Sequence, residues 1–208
     1  MAYTYSILTG PKTTLGSIKN WTNRSDIPSA FVLAEAQALI YEKLRVREME
    51  TTEDITVASG EYRKEVTIPE VFLDPIKIVP FGWGEELPYV SVARFATARD
   101  PSTGDRLTGP IPSNWTLIGN FITFEVELDA DFGFEFFYYR KPAPLGTGAA
   151  ETNFLTDRYP TLLRYACMSF AFDHMKDSPR SLEYRQKTEL LAAEINRTNE
   201  LYRRGQYL

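Results

Sequence analysis

Between about residues 54 and 141 the chain changes its hydrophobic period, and that switch constrains the fold more than any other feature. Outside this window apolar residues recur at three- and four-residue steps, the spacing of one helix face. Inside it, β-branched and aromatic residues are punctuated by Gly and Pro, the pattern of strands and turns. A chain of 208 residues with 43% hydrophobic content has enough apolar material for a core and too much for a disordered polymer.

Helical segments can be placed from local signals. Leu15, Ile18 and Trp21 are spaced three apart, as in a short amphipathic helix weakened by Gly16. Ser25-Asp26-Ile27-Pro28 then offers an acceptor and a first-turn proline for a helix through about residue 48, with Phe31, Ala34, Ala38, Tyr41 and Leu44 as its repeating face. Thr156-Asp157 predicts the cap of a helix from Arg158 to about Lys176, with Pro160 in its first turn, apolar nearly all round and therefore buried. Ser178-Pro179 restarts the chain into a last helix to about Arg203, where Leu191, Ile195, Thr198 and Tyr202 form a stripe. The N-terminal Tyr3-Thr4-Tyr5-Ser6-Ile7-Leu8 reads as a β-prone arm.

Strands are expected at Ile55–Ala58, Tyr62–Ile68, Ile76–Pro80, Tyr89–Ala96, Trp115–Ile118, Phe121–Leu128 and Phe132–Arg140. Gly119-Asn120 is a two-residue hairpin signal. In the last strand Phe132, Phe134, Phe136 and Tyr138 share one face. The fold class is therefore α+β: a four-helix core, two helices N-terminal and two C-terminal, carrying an inserted antiparallel β-sheet subdomain. The expected divisions are 1–50 for the arm and first helices, 51–145 for the insertion, 146–203 for the last helices and 204–208 for a C-terminal tail.

Charge follows the same partition. Residues 50–150 carry 8 basic and 16 acidic side chains, residues 1–49 carry 6 and 4, and residues 151–208 carry 9 and 8. A net charge of −5 supplies no global field to hold duplex DNA through its phosphates. The excess of acid in the β part protects edge strands, and it would also repel a polyanion. No apolar run reaches the ~18 residues of a membrane span, and the start of the chain lacks a basic-then-apolar leader, so a soluble chain in a cytosol-like compartment is expected.

Chemistry has few candidates. His174 is the sole histidine and Cys167 the sole cysteine. Seven helical residues put them about 10.5 Å apart, too far for a nucleophile–base hydrogen bond. A single cysteine excludes an internal disulfide, a thiolate zinc cluster and a CxxC pair. Any metal site would have to be all carboxylate, from Glu53-Asp54, Glu85-Glu86 or Asp129/Asp131, and none has a calcium-loop spacing. Gly82-Trp83-Gly84 lacks the residues of a phosphate cradle. The expectation is a non-enzyme with no catalytic residue, no metal and no cofactor. Its aromatics neighbour Glu and Asp rather than Lys and Arg, which favours a core or an oligomer interface over a single-strand binder.

Several segments, in order, resemble one family. Phe31-Val32-Leu33-Ala34-Glu35-Ala36 through Leu44-Arg45-Val46-Arg47-Glu48-Met49-Glu50 resembles the helix of tailed-bacteriophage portal adaptors, also called head–tail connector or head-completion proteins. Thr67-Ile68-Pro69-Glu70-Val71-Phe72 resembles the strand start that follows it, with Glu70 where Asp is common. The hairpin Trp115–Leu128 resembles the family's strand pair, and Phe136–Pro142 through Leu145 its strand exit. Asn153-Phe154-Leu155 to Ala166 is similar to the start of its third helix. The loop Phe95–Pro112 is longer than the family's pattern.

The resemblance implies a structural virion protein at the head–tail interface, made in the bacterial host cytoplasm. It further implies a homo-oligomeric dodecameric ring between the portal protein and a tail or nozzle protein. Such a ring passes DNA through its channel with no sequence-specific binding and has no membrane partner. Arg203, Arg204, Tyr207 and Leu208 are then candidates for portal docking, Tyr207-Leu208 filling a pocket and the arginines pairing with carboxylates. Other readings are a stopper or tube component on the tail side, which a mostly β chain would have favoured, and a small hydrolase using a carboxylate pair.

Overall fold

A computed structural model of the chain describes residues 3–60, 63–65, 71–95, 101–105 and 107–203, with the side chains of 63–65 excepted. Two compact units emerge, Met1–Met49 with Pro142–Leu208 and Glu50–Lys141. The chain is mixed α/β, with six α-helices among the described residues.

The helical unit begins with α1 (Tyr5–Thr9) and α2 (Ile18–Thr22). Residues expected to form an extended arm are thus helical. Thr4 accepts the Ile7 N–H as N-cap, and Ser6 donates to the Glu151 carboxylate from both its amide and its hydroxyl. An anion at a helix N-terminus satisfies amides that have no intrahelical partner. The same two hydrogen bonds hold the Glu151 carboxyl below its ordinary value. Ser17, not Leu15, starts α2: it accepts from the Asn20 N–H, and Leu15 lies outside the helix and exposed.

Helix α3 (Ser29–Lys43) ends five residues earlier than its pattern predicts, and Asp26 does not cap it. Asp26 is paired instead with Arg24 at 2.7 Å, a contact that holds its carboxyl down at about 2. Of the expected face, Tyr41 and Leu44 are buried and the other three positions are not. Val32, Leu33, Ala36, Gln37, Ile40 and Tyr41 point inward, whereas Phe31, Ala34 and Ala38 are exposed.

The expected helix from Arg158 is two helices, α4 (Phe154–Arg158) and α5 (Pro160–His174). Asn153 and Thr156 form a reciprocal capping box on α4. The break falls at Tyr159, because a residue before proline is pushed out of the α region. Helix α5 is the centre of this unit, packing against α2, α3, α4 and α6 (Ser178–Arg203). Its Leu162, Leu163, Ala166, Cys167 and Ala171 are fully buried.

The β unit contains two three-stranded antiparallel sheets. In one, β1 (Glu50–Val57) and β3 (Phe72–Pro80) flank β8 (Phe132–Arg140). In the other, β2 (Arg63–Glu65) and β5 (Trp115–Ile118) flank β6 (Phe121–Phe124). A two-stranded parallel pair, β4 (Thr108–Gly109) with β7 (Glu127–Leu128), corrects the all-antiparallel expectation. The hairpin at Gly119-Asn120 forms as expected, with Ile118 opposite Phe121 and Gly119 at φ +61. Phe121–Leu128 is split between β6 and β7 rather than continuous. Tyr89–Ala96 is not a strand: Tyr89 makes one bridge to Trp115, residues 91–94 turn, and Ala96 lies outside the described residues. Parts of the expected strand Tyr62–Ile68, including Val66, Thr67 and Ile68, and the motif residues Pro69 and Glu70 lie outside them too.

Alternation along β8 buries Phe132, Phe134, Phe136 and Tyr138 while their neighbours face outward. Phe136 meets Trp115 edge-on, Phe132 and Phe134 meet Phe124 edge-on, and Ile78, Leu87 and Ile122 belong to the same cluster. Glu125, though buried, is satisfied by the Ser113 and Asn114 amides. Pro75 and Pro80 are tolerated in β3 because it is an edge strand of its sheet, and the one bridge on its other side, Ile78 to Leu87, involves neither proline. No helix of the described residues is long and apolar enough to cross a membrane.

Candidate interaction surfaces

Helix α6 is the longest element at 26 residues, about 39 Å at 1.5 Å per residue, against 15 residues and about 22 Å for α5. Three residues separate the two helices. Lys176 takes a left-handed conformation (φ +59) there, and Asp177 accepts the Arg180 N–H at 3.3 Å. The first half of α6 is held by aromatic contacts with α5: Tyr184 stacks on Phe172 at 5.5 Å and meets Tyr165 at 6.0 Å. Only Thr188 and Ala192 of α6 are buried, and nothing beyond Ala192 is.

The second half is tethered to the end of α3 by one side chain. Asn196 donates to the Lys43 carbonyl at 2.8 Å and accepts the Arg45 N–H at 2.7 Å. Asn196→Ala leaves both backbone groups without these partners. It is expected to cost about 1–2 kcal/mol, read as a lower denaturation midpoint with faster hydrogen exchange over 196–203.

The sequence stripe on α6 lines a cleft of about 470 Å³. Leu191, Ile195, Thr198 and Tyr202 form one wall at alternating four- and three-residue steps, the spacing of a helix seam. Facing them are Arg47 and Glu48 from the turn after α3 and Arg158 with Tyr159 from the α4–α5 break. Glu48 pairs with Arg158 through Oε1, while its buried Oε2 receives no hydrogen bond among the described residues. The Tyr159 hydroxyl is pushed above its ordinary value, chiefly by burial, against a hydrogen bond with Asn199. The stripe is visible in the sequence; the facing wall is not, because it comes from positions more than 30 residues away.

Of the four candidate docking residues, Arg203 is exposed at the last turn of α6. Arg204, Tyr207 and Leu208 lie outside the described residues.

The candidate chemical residues are dispersed. Cys167 is buried in α5 and burial pushes its thiol up, away from the nucleophilic thiolate. His174 is exposed at the end of the same helix, two turns on. Asp131 accepts the Ser59 N–H at 3.1 Å, tying the residue before β8 to the segment after β1. Glu53 and Asp54 are exposed on β1, and Glu85 and Glu86 on the loop after β3. Among the described residues, no three His, Cys, Asp or Glu side chains gather as a metal site requires.

A second surface lies in the β unit. Phe81, Trp83, Tyr89 and Val92 are all exposed on the segment between β3 and β5. The Phe81 ring lies so close over Gly133 that a Cβ there would come within 2.4 Å of it.

No curated protein matches the chain. Residues 7–206 match the model of the SU10 adaptor protein family.

Proposed function

The chain belongs to the SU10 adaptor protein family, a bacteriophage adaptor family, and from that premise we infer that it joins portal to tail as a dodecameric ring continuing the DNA channel. It is a structural virion protein that associates with other virion proteins. The ring, the portal and the channel are the finer reading proposed here. In it, α2, α3, α5 and α6 make a four-helix core, the β unit is an insertion, and no covalent chemistry is performed.

The observation that carries this reading is the sparsely buried second half of α6. After Ala192 the helix runs eleven more residues, none of them buried, held by the Asn196 tether and the cleft wall, and ends at exposed Arg203. A helix built mostly of exposed positions contributes little to its own fold, since helical stability comes largely from packing an apolar face. It is suited to reach another protein. Arg203, Arg204, Tyr207 and Leu208 dock on the portal, the arginines meeting carboxylates and the apolar pair entering a pocket. Acidic side chains facing the channel would keep the genome from adhering as it slides.

Native mass spectrometry of the purified chain mixed with the matching portal ring tests this. Twelve copies on one portal ring are the expected product, and deletion of 204–208 is expected to weaken binding by about tenfold or more, the loss of a well-buried anchor. No association of the intact chain would move the assignment to a tail-side stopper or tube component. Undiminished binding after the deletion would remove the tail from the docking surface.

A further inference from the structure

Each unit presents an apolar surface edged by charge, and the two charges are opposite. On the β unit, Trp83 sits between Gly82 and Gly84, both at positive φ (+79 and +72), a conformation side-chain-bearing residues avoid. The turn therefore presents the indole outward, 47% exposed, beside Phe81 braced on Gly133. From Ile78 to Ala93 the chain has two carboxylates, Glu85 and Glu86, and no Lys or Arg. Both are exposed and make no ion pair among the described residues.

The helical unit shows the counterpart. No carboxylate side chain occurs before Asp26. Leu15 is 68% exposed and stands between Lys12 and Lys19 in sequence. Trp21, six residues after Leu15 and half-buried, meets Tyr3 edge-on at 5.3 Å and lies under the Arg164 guanidinium at 5.4 Å. Lys12, Lys19 and Arg164 make no ion pair among the described residues. The nearby carboxylates are engaged elsewhere, Asp26 by Arg24 and Glu151 by Ser6.

We propose that these surfaces bind each other between copies: the 81–92 segment of one copy seats on the Lys12–Trp21 surface of the next. Apolar side chains meet at the centre, and Glu85 and Glu86 meet Lys12, Lys19 and Arg164 at the rim. Each copy uses two different surfaces, so the contact is heterologous and propagates around a ring when its rotation closes. This deepens the ring reading above and rests on it. Three half-exposed aromatics of about 150–250 Å² each contribute on the order of 300 Å². That is well under the roughly 800 Å² per partner of a stable interface. The contact is accordingly weak and salt-sensitive in the free protein and is completed on a preformed portal ring.

Charge exchange tests it. One variant carries Glu85→Lys with Glu86→Lys, a second Lys12→Glu with Lys19→Glu, and a third all four changes. All positions are on the surface, so circular dichroism should match the unchanged chain. Association is read by sedimentation velocity at low and high salt, and by counting copies on the portal ring by native mass spectrometry. Each double variant alone is expected to lose about tenfold or more in copy–copy affinity. An equal mixture of the two, and the fourfold variant alone, should recover most of it, because positions 85 and 86 again face opposite charges at 12 and 19, with Arg164 the one group left unexchanged.

Double variants that assemble like the unchanged chain overturn the contact, leaving the ring reading intact. Loss in both without recovery in the mixture also overturns it and assigns the loop to a different partner. An unchanged chain that associates neither with itself nor on the portal overturns contact and ring together.

Discussion

Trp115→Ala is expected to cost the β unit about 3–5 kcal/mol, the range for removing a large aromatic from a packed core. Trp115 of β5 is fully buried and contacts both β8 and the segment Leu87–Val90. Its ring meets Phe136 of β8 at 5.8 Å and Tyr89 at 4.9 Å, both edge-on. Its indole N–H donates to the Leu87 carbonyl at 2.9 Å, and its backbone exchanges hydrogen bonds with Pro88 and Val90. Truncation leaves both a cavity and an orphaned carbonyl, penalties that add. Trp115→Phe keeps much of the volume and loses the donor, so it should cost about 1–2 kcal/mol. Urea unfolding followed by far-ultraviolet circular dichroism measures both. A loss below about 1 kcal/mol for the alanine variant would contradict the packing described. Because Leu87 and Tyr89 follow directly from the exposed 81–86 turn, the same variant should also weaken association between copies.

The elements most easily read from sequence are those whose signal is local. β8 has its predicted bounds because alternate aromatics need no distant partner to define a face, and the Gly119-Asn120 hairpin follows from two residues that accept its turn. The β-prone composition of Tyr3–Leu8 is overridden from 145 residues away, where Glu151 supplies the N-terminal acceptor that α1 requires. Helix α3 is apolar on more than one side, so periodicity groups the exposed Phe31, Ala34 and Ala38 with the buried Tyr41 and Leu44. Packing against α5 selects Val32, Leu33, Ala36 and Ile40 instead. The same limit applies to the surfaces. The Leu191–Tyr202 stripe is visible in sequence, but the opposing Arg47, Glu48 and Arg158 are brought to it by the fold. In sequence the aromatics, Trp83 among them, read as core or oligomer interface, and its exposure in the fold is what separates Trp83 from the buried rings of β8.

In the helical unit the largest single loss is expected at Tyr41. Its hydroxyl donates toward Gln37 Oε1 (3.3 Å) or the Ala143 carbonyl (3.4 Å) and accepts from Asn153 Nδ2 (3.1 Å). Gln37 Oε1 also accepts the Leu145 N–H at 2.8 Å, and Asn153 caps α4. One ring thereby ties α3 to the segment that returns from the β unit and to the next helix start. Tyr41→Ala removes the ring and leaves the network incomplete, for about 3–5 kcal/mol. Tyr41→Phe removes the hydroxyl alone, for about 1–2 kcal/mol. The two variants also differ from the unchanged chain in pH dependence. Burial pushes the Tyr41 hydroxyl up to about 12, whereas an unfolded chain ionises it near ~10. Between those values the unfolded state has released a proton that the folded state retains, so stability falls as pH rises. The contribution is complete below ~10 and is lost through the folded value near 12. Tyr159 in the same unit is raised in the same direction, so Tyr41→Phe should flatten the alkaline slope without abolishing it. Urea midpoints compared at pH 9 and 11 would show this as a smaller drop for the phenylalanine variant. An equal drop in both proteins would mean that the Tyr41 hydroxyl ionises as freely folded as unfolded, and the buried network would have to be abandoned.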